Sequence, residues 1–262
     1  MSEARRFAEL TLTLAVNEFK LRYYGNVLGY FWSLAKPLMT FAVIYVAFTE
    51  ILKVGTSTPH FAAMLICGIV LFNFFAEATG GSVTSLVASG SLIRKIPVPA
   101  LAIPMSIVVQ AFFTLCLNLV AIGIFFAIDG VEVTRDWLQA PLILAGLLFV
   151  TTAFSSLLAN LYVPFRDTGQ IWEVLSQVFF WGSAVLYSIQ NIDEPLRGLI
   201  MFNPLAVVMV QMHHSIIDQS QPSALGAAGG GHLLVATLIV LVVFASGALM
   251  YRHVRPRLAE QI

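Results

Sequence analysis

The chain has 262 residues, 58% of them hydrophobic and only 11% charged, with 14 basic side chains balancing 14 acidic ones. A soluble domain carries roughly 25% charged residues, so the composition excludes an ordinary soluble protein and places the chain in a bilayer. The neutral balance gives no case for nucleic acid. The absence of a Gly-Lys-Ser/Thr phosphate loop, a Ser-His-Asp set or paired catalytic carboxylates argues against an enzyme.

Residues 1–30 are predicted to form an amphipathic helix at the cytoplasmic interface. Phe7, Leu10, Leu14 and Leu21 fall on one side, and Leu12, Val16 and Phe19 on another. Two apolar faces suit a helix wedged between lipid and a protein partner, although a simple interfacial anchor has the same pattern. Lys20, Arg22 and Lys36 interleave with Tyr23, Tyr24, Tyr30, Phe31 and Trp32. Amphipathic rings sit at headgroup level, and cationic side chains reach water there.

About 20 apolar residues are needed to cross a bilayer. On that measure the expected fold is an all-α polytopic membrane protein with six spans, near 31–52, 60–80, 103–128, 140–162, 171–190 and 232–252. A short helix near 83–96, closed by Pro97 and Pro99, presents Leu92, Arg94 and Lys95 in the loop after the second span. Arg166 and Asp167 mark the membrane edge before the fifth span, or pair with a partner. A further uncharged run, 198–217, is interrupted by Asn203-Pro204. Counting it as a re-entrant outer hairpin near 192–220 leaves 11 of the 14 basic residues inside and both termini cytoplasmic, as the positive-inside rule favours. The Gly226–Gly231 stretch reads as a flexible outer loop, and Ala245, Ser246, Gly247 and Ala248 as a close-packing seam in the last span.

Tyr30, Phe41, Tyr45 and Phe48 recur at helical spacing in the first span, and Phe179, Phe180, Trp181 and Tyr187 cluster around the fifth. Such rings pack helices or face lipid; alternatively, they form a wall along which sugar rings slide. Glu50, Glu77 and Glu173 are the acids nearest to span interiors, where charge is costly and often functional. The five histidines show no metal-binding spacing, and no metal or cofactor is expected in this chain. Cys67 and Cys116 read as small buried hydrophobes.

The stretch FKLRYYGNVLGYFWSLAKPL resembles the opening of the permease subunits of ABC-2 polysaccharide exporters, matching at Glu18, Lys20, Arg22, Tyr23, Gly25, Leu28, Gly29, Trp32, Ser33 and Pro37. Phe19 and Lys36 depart from the usual leucine and asparagine. SLIRKIPVP, VPFRDTGQIWEVLSQVFFWGSAVLYS and Asn203-Pro204 resemble later family segments in the same order. The resemblance implies a homodimeric channel in the bacterial inner membrane, working with two nucleotide-binding subunits that hold ATP and Mg. It implies a lipid-linked polysaccharide such as O-antigen or teichoic acid as substrate. It also makes the 83–96 helix, with Leu92, Arg94, Lys95, Arg166 and Asp167, the docking point for the ATPase. Lys20, Arg22, Tyr23 and Tyr24 would border the arriving lipid, and the hairpin at Asn203 and Pro204 would close the exit.

Overall fold

A computed structural model of the chain describes residues 3–23, 29–53, 58–95 and 99–255, with the backbone alone at Glu3, Tyr23, Tyr30 and Lys95. The described residues form helices and no strands. In order they are α1 (Glu3–Tyr23), α2 (Gly29–Val46, continued by a π turn to Ile51), α3 (Phe61–Ala88), α4 (Gly90–Lys95) and α5 (Ala102–Asp129). A 3-10 turn at Arg135–Gln139 leads into α6 (Ala140–Tyr162). Then follow α7 (Thr168–Trp181), α8 (Glu194–Ile200), α9 (Pro204–Met212, continued by a π turn to Ile217) and α10 (Ala224–Val254). Five of these stretches are long and apolar enough to cross a membrane: Phe31–Ile51, Phe61–Ala88, Ala102–Asp129, Arg135–Tyr162 and Ala224–Val254.

Helix α3 is the centre of the bundle. It packs on α5, α6, α2 and α7, and Leu65, Leu71 and Phe75 on it are fully buried. Without water to expel, close packing is what joins helices in lipid. The α6–α10 contact shows the means: a Cβ on Gly247 would stand 3.0 Å from the Leu157 nitrogen. Of the anticipated small-residue seam in the last span, Gly247 is the buried member.

Two smaller clusters cap the bundle. At one end Leu86, Ala100, Ile103, Ala159, Val163 and Val254 meet, with Leu14 and Ile93 packed against them. This brings α1 and the end of α10 to the same end of the bundle. At the other end Ala184, Ile189, Met201, Val210, Ala224 and Ala228 form a second cap.

Four expectations need correction. The helix expected over 83–96 is split: residues to Ala88 extend α3, and only Gly90–Lys95 form the separate α4. The expected fifth span, 171–190, is a helix only to Trp181. Its 14 residues extend about 21 Å, after which the chain turns, with Ala184 in the left-handed region at φ 53. The turn lies against α3, where the Val185 carbonyl oxygen would be 2.9 Å from a Cβ on Gly68. The 226–231 stretch is helical within α10 rather than a loop, broken only at Gly229 (φ 68, ψ 164). Cys67 is buried as expected, but Cys116 faces outward from α5.

Candidate functional site

Helix α3 is buried over most of its surface, yet Asn73, Glu77, Gly80 and Thr84 stay open or half-open. Their spacing of four, three and four residues places them on one face. On one side of this stripe α2 and α5 enclose a cavity of about 430 Å³ that includes Asn73 and Glu77. On the other, α7 bounds a second cavity of about 430 Å³ that includes Gly80 and Thr84. Ala76 lines both. The result is a trough with a polar, small-residue floor on α3 and walls on α2 and α7.

The α7 wall is amphipathic. Glu173, Ser176 and Gln177 turn toward the trough, whereas Ile171, Val174, Val178 and Trp181 are exposed on other faces. Trp172 fastens this wall to the floor: its indole N–H donates to the Thr79 hydroxyl at 3.2 Å. Phe75, Phe154, Trp172 and Phe179 touch pairwise, with ring centroids 5.5 to 6.0 Å apart. Phe179 thus belongs to a knot joining α3, α6 and α7, and Phe180 meets Phe72 edge-on at 5.0 Å.

The first-span rings are half-buried against the same core. Phe41 stacks on Tyr45 at 5.5 Å and meets Phe125 at 5.3 Å. Tyr45 and Phe48 both stack on Phe61. Tyr187 donates its hydroxyl to the Trp181 carbonyl at 3.0 Å. Tyr30 is placed on α2 by its backbone alone. Apart from Tyr30, these aromatics make intrachain packing contacts, and Trp181, 61% exposed, is the most open of them.

At the end where the termini meet, Arg22 at the close of α1 forms an ion pair with Glu77 in the trough floor. Lys20 is exposed on the last turn of α1, and Tyr24 lies outside the described residues. On α4, Leu92 is half-buried and Arg94 exposed, and Lys95 is placed by backbone alone. Arg166 lies over the Tyr162 ring at 5.2 Å, and Asp167 immediately precedes α7. Ile93 of α4 and Val163 near Arg166 share one apolar cluster, so the two expected docking segments occupy the same end of the molecule.

At the opposite end, α8 and α9 meet at 106°. Asn203 caps α9, its Oδ1 accepting from the Leu205 N–H at 3.0 Å. Its amide also donates to the Gly182 carbonyl at 3.0 Å and to the Ser183 hydroxyl at 2.8 Å. Pro204 starts the helix where no donor is needed. The far end of this arm is held by neutral amides. Gln211 donates to Gln139 at 2.9 Å and accepts from the Ala224 N–H at 3.0 Å. Gln219 donates to Asp136 at 2.7 Å.

The motif reading missed the trough floor and this amide lattice. The floor had a legible signal, the 73–77–80–84 spacing of polar and small residues inside an apolar run. The glutamines are too far apart in sequence to suggest pairing.

Residues 9–216 match the ABC-2 type transporter family. The chain therefore belongs to that family and is a permease, the transport subunit of an ABC-2 system. Two Klebsiella pneumoniae proteins, each named O-antigen export system permease protein RfbA, are similar to it. One is 28% identical over 204 residues, covering 77% of this chain and 78% of the relative. The other is 26% identical over 242 residues, covering 90% and 91%. A Myxococcus xanthus protein of the same name is 25% identical over 262 residues, covering 99% of this chain and 98% of its own.

Proposed function

We propose that the chain is the channel-forming permease of an ATP-driven exporter of lipid-linked polysaccharide. The observation that carries this reading is the polar floor of the α3 trough, set in a chain whose relatives bear the name of O-antigen export permeases. A charge inside an apolar span is tolerated where it faces water or a partner, and Glu173 faces the trough. Two copies set trough to trough would enclose a hydrated passage. Tyr30, Phe41, Tyr45, Phe48, Phe179, Phe180, Trp181 and Tyr187 would supply its aromatic wall.

In this reading the chain makes six crossings of the bacterial inner membrane, both termini cytoplasmic, with α7 and the turn after it as the fifth. The α8–α9 hairpin then starts and ends on the outer side, with Asn203 and Pro204 at its bend. Two nucleotide-binding subunits supply ATP and Mg and dock on Leu92, Arg94, Lys95, Arg166 and Asp167. Lys20, Arg22, Tyr23 and Tyr24 border the lipid's access from the cytoplasmic leaflet.

The test is reconstitution of the chain with its nucleotide-binding subunit in liposomes loaded with lipid-linked polysaccharide. ATP-dependent appearance of polymer on the far side is expected. Transport of a drug or phospholipid instead, with polymer retained, would overturn the reading.

A further inference from the structure

The cavity between α2, α3 and α5 contains two kinds of chemistry at two depths. At its mouth stand Arg22 and Lys36 with one carboxylate, Glu77, a lining that carries one net positive charge. Deeper, Asn118 of α5 is 93% buried, and its Oδ1 has no hydrogen-bond partner among the described residues. A buried acceptor left without a donor destabilises the empty site, and a ligand that supplies the donor recovers that loss. Thr114 lies one turn earlier on α5 and Asn73 opposite on α3, so three polar side chains converge within otherwise apolar walls. The volume of about 430 Å³ lies in the range of small-molecule sites.

The two depths ask for opposite things. Glu77 already pairs with Arg22, so the positive charge left over at the mouth is that of Lys36, which suits an anion. The Asn118 Oδ1 wants a donor, which an ionised phosphate cannot provide because its oxygens only accept. A ligand that satisfies both carries a negative charge next to an O–H or N–H. Trp32, which also lines the cavity, adds an aromatic surface suited to the apolar C–H face of a sugar.

We propose that this cavity binds the first sugar of a phosphorylated glycolipid, with an O–H or N–H of that sugar donated to Asn118 and the phosphate held near Arg22 and Lys36. This rests on the exporter reading and adds to it a site that distinguishes sugar-bearing from bare lipid before transport begins.

The full-length protein in nanodiscs would be titrated with three probes: a polyprenyl diphosphate carrying one N-acetylhexosamine, the same lipid without sugar, and phosphatidylmethanol, an anionic lipid whose headgroup has no donor. The sugar-bearing lipid should bind about tenfold more tightly than either of the others, the order of one buried hydrogen bond. Asn118→Leu should abolish that preference without lowering the melting temperature, since it removes an orphaned polar group. Lys36→Ala should weaken both diphosphates alike. If Asn118→Leu does not assemble, Thr114→Val should show the reduced preference. Equal affinity for the three lipids, or a preference kept by the folded Asn118→Leu and Thr114→Val proteins, would overturn the proposal. Normal wild-type export that Asn118→Leu leaves unchanged overturns this site alone, whereas no wild-type polymer export overturns the exporter reading itself.

Discussion

The two ends of the bundle are built on different principles. The cap around Met201 and Val210 is tied chiefly by amide side chains, with Asn203, Gln139 and Gln211 each joining segments distant in sequence. The end that holds the termini displays its charges: Lys20, Arg94, Arg166 and Asp167 are all exposed. Amide pairs keep their geometry across salt and pH, and only the carboxylates beside them, Asp136 and Asp218, add a dependence on acid. Exposed charges contribute little to folding and are available to another surface. Substitutions at the cap should therefore be felt in stability, and substitutions at the other end in coupling to a partner.

The sharpest way to break this contrast is at Gly68, where the cap turn rests on α3 backbone to backbone. Gly68→Leu cannot be absorbed by a rotamer change and should cost more than about 3 kcal/mol. Its measure is loss of the monodisperse peak in size-exclusion chromatography of the detergent-solubilised protein. Asn203→Ala comes next. It removes a helix cap and two donors and should destabilise by about 1–3 kcal/mol, read as a lower melting temperature with α-helix content retained. At the other end, Arg94→Glu should change stability by less than about 0.5 kcal/mol while lowering substrate-stimulated ATP hydrolysis by the complex several-fold. Unaltered ATPase coupling would show that α4 is an ordinary loop helix.

The smallest effect concerns acid. Burial pushes the Asp218 carboxyl up, but hydrogen bonds from the Ser220 hydroxyl and N–H, together with the charge of His60, outweigh it and hold it below its usual value. Its ionised form therefore stabilises the fold above the unfolded pKa of about 4, and that contribution is lost as pH falls through the lower folded value. The cap's melting temperature should stay level from neutral pH to about pH 5. It should fall below about pH 4, and Asp218→Asn should remove that part of the fall.

Much of the bundle was legible because span length and charge are one-dimensional properties. Residues 104–128 announce α5 by carrying no charge at all. The fifth span was misjudged for the same reason. Residues 182–190 are also uncharged, and nothing local shows that Asn203, 21 positions downstream of Gly182, will draw the chain into a turn. The aromatic runs marked the right helices but could not reveal which rings would knot together, since Phe75, Phe154 and Phe179 come from three helices. Glu77 and Glu173 stood out singly, while the trough between them depends on how α3, α2 and α7 are placed side by side.

The break at Gly229 gives α10 two allegiances. A continuous rod of 31 residues would be a lever about 45 Å long, and any tilt of its lower part would pry at the turn seated in the cap through Ala224 and Ala228. With the backbone interrupted there, the membrane-spanning part can lean to suit a thicker or thinner bilayer while its first turn keeps its seat. Gly229 thus lets the first turn of α10 take its direction from the cap and the rest of the helix take its own.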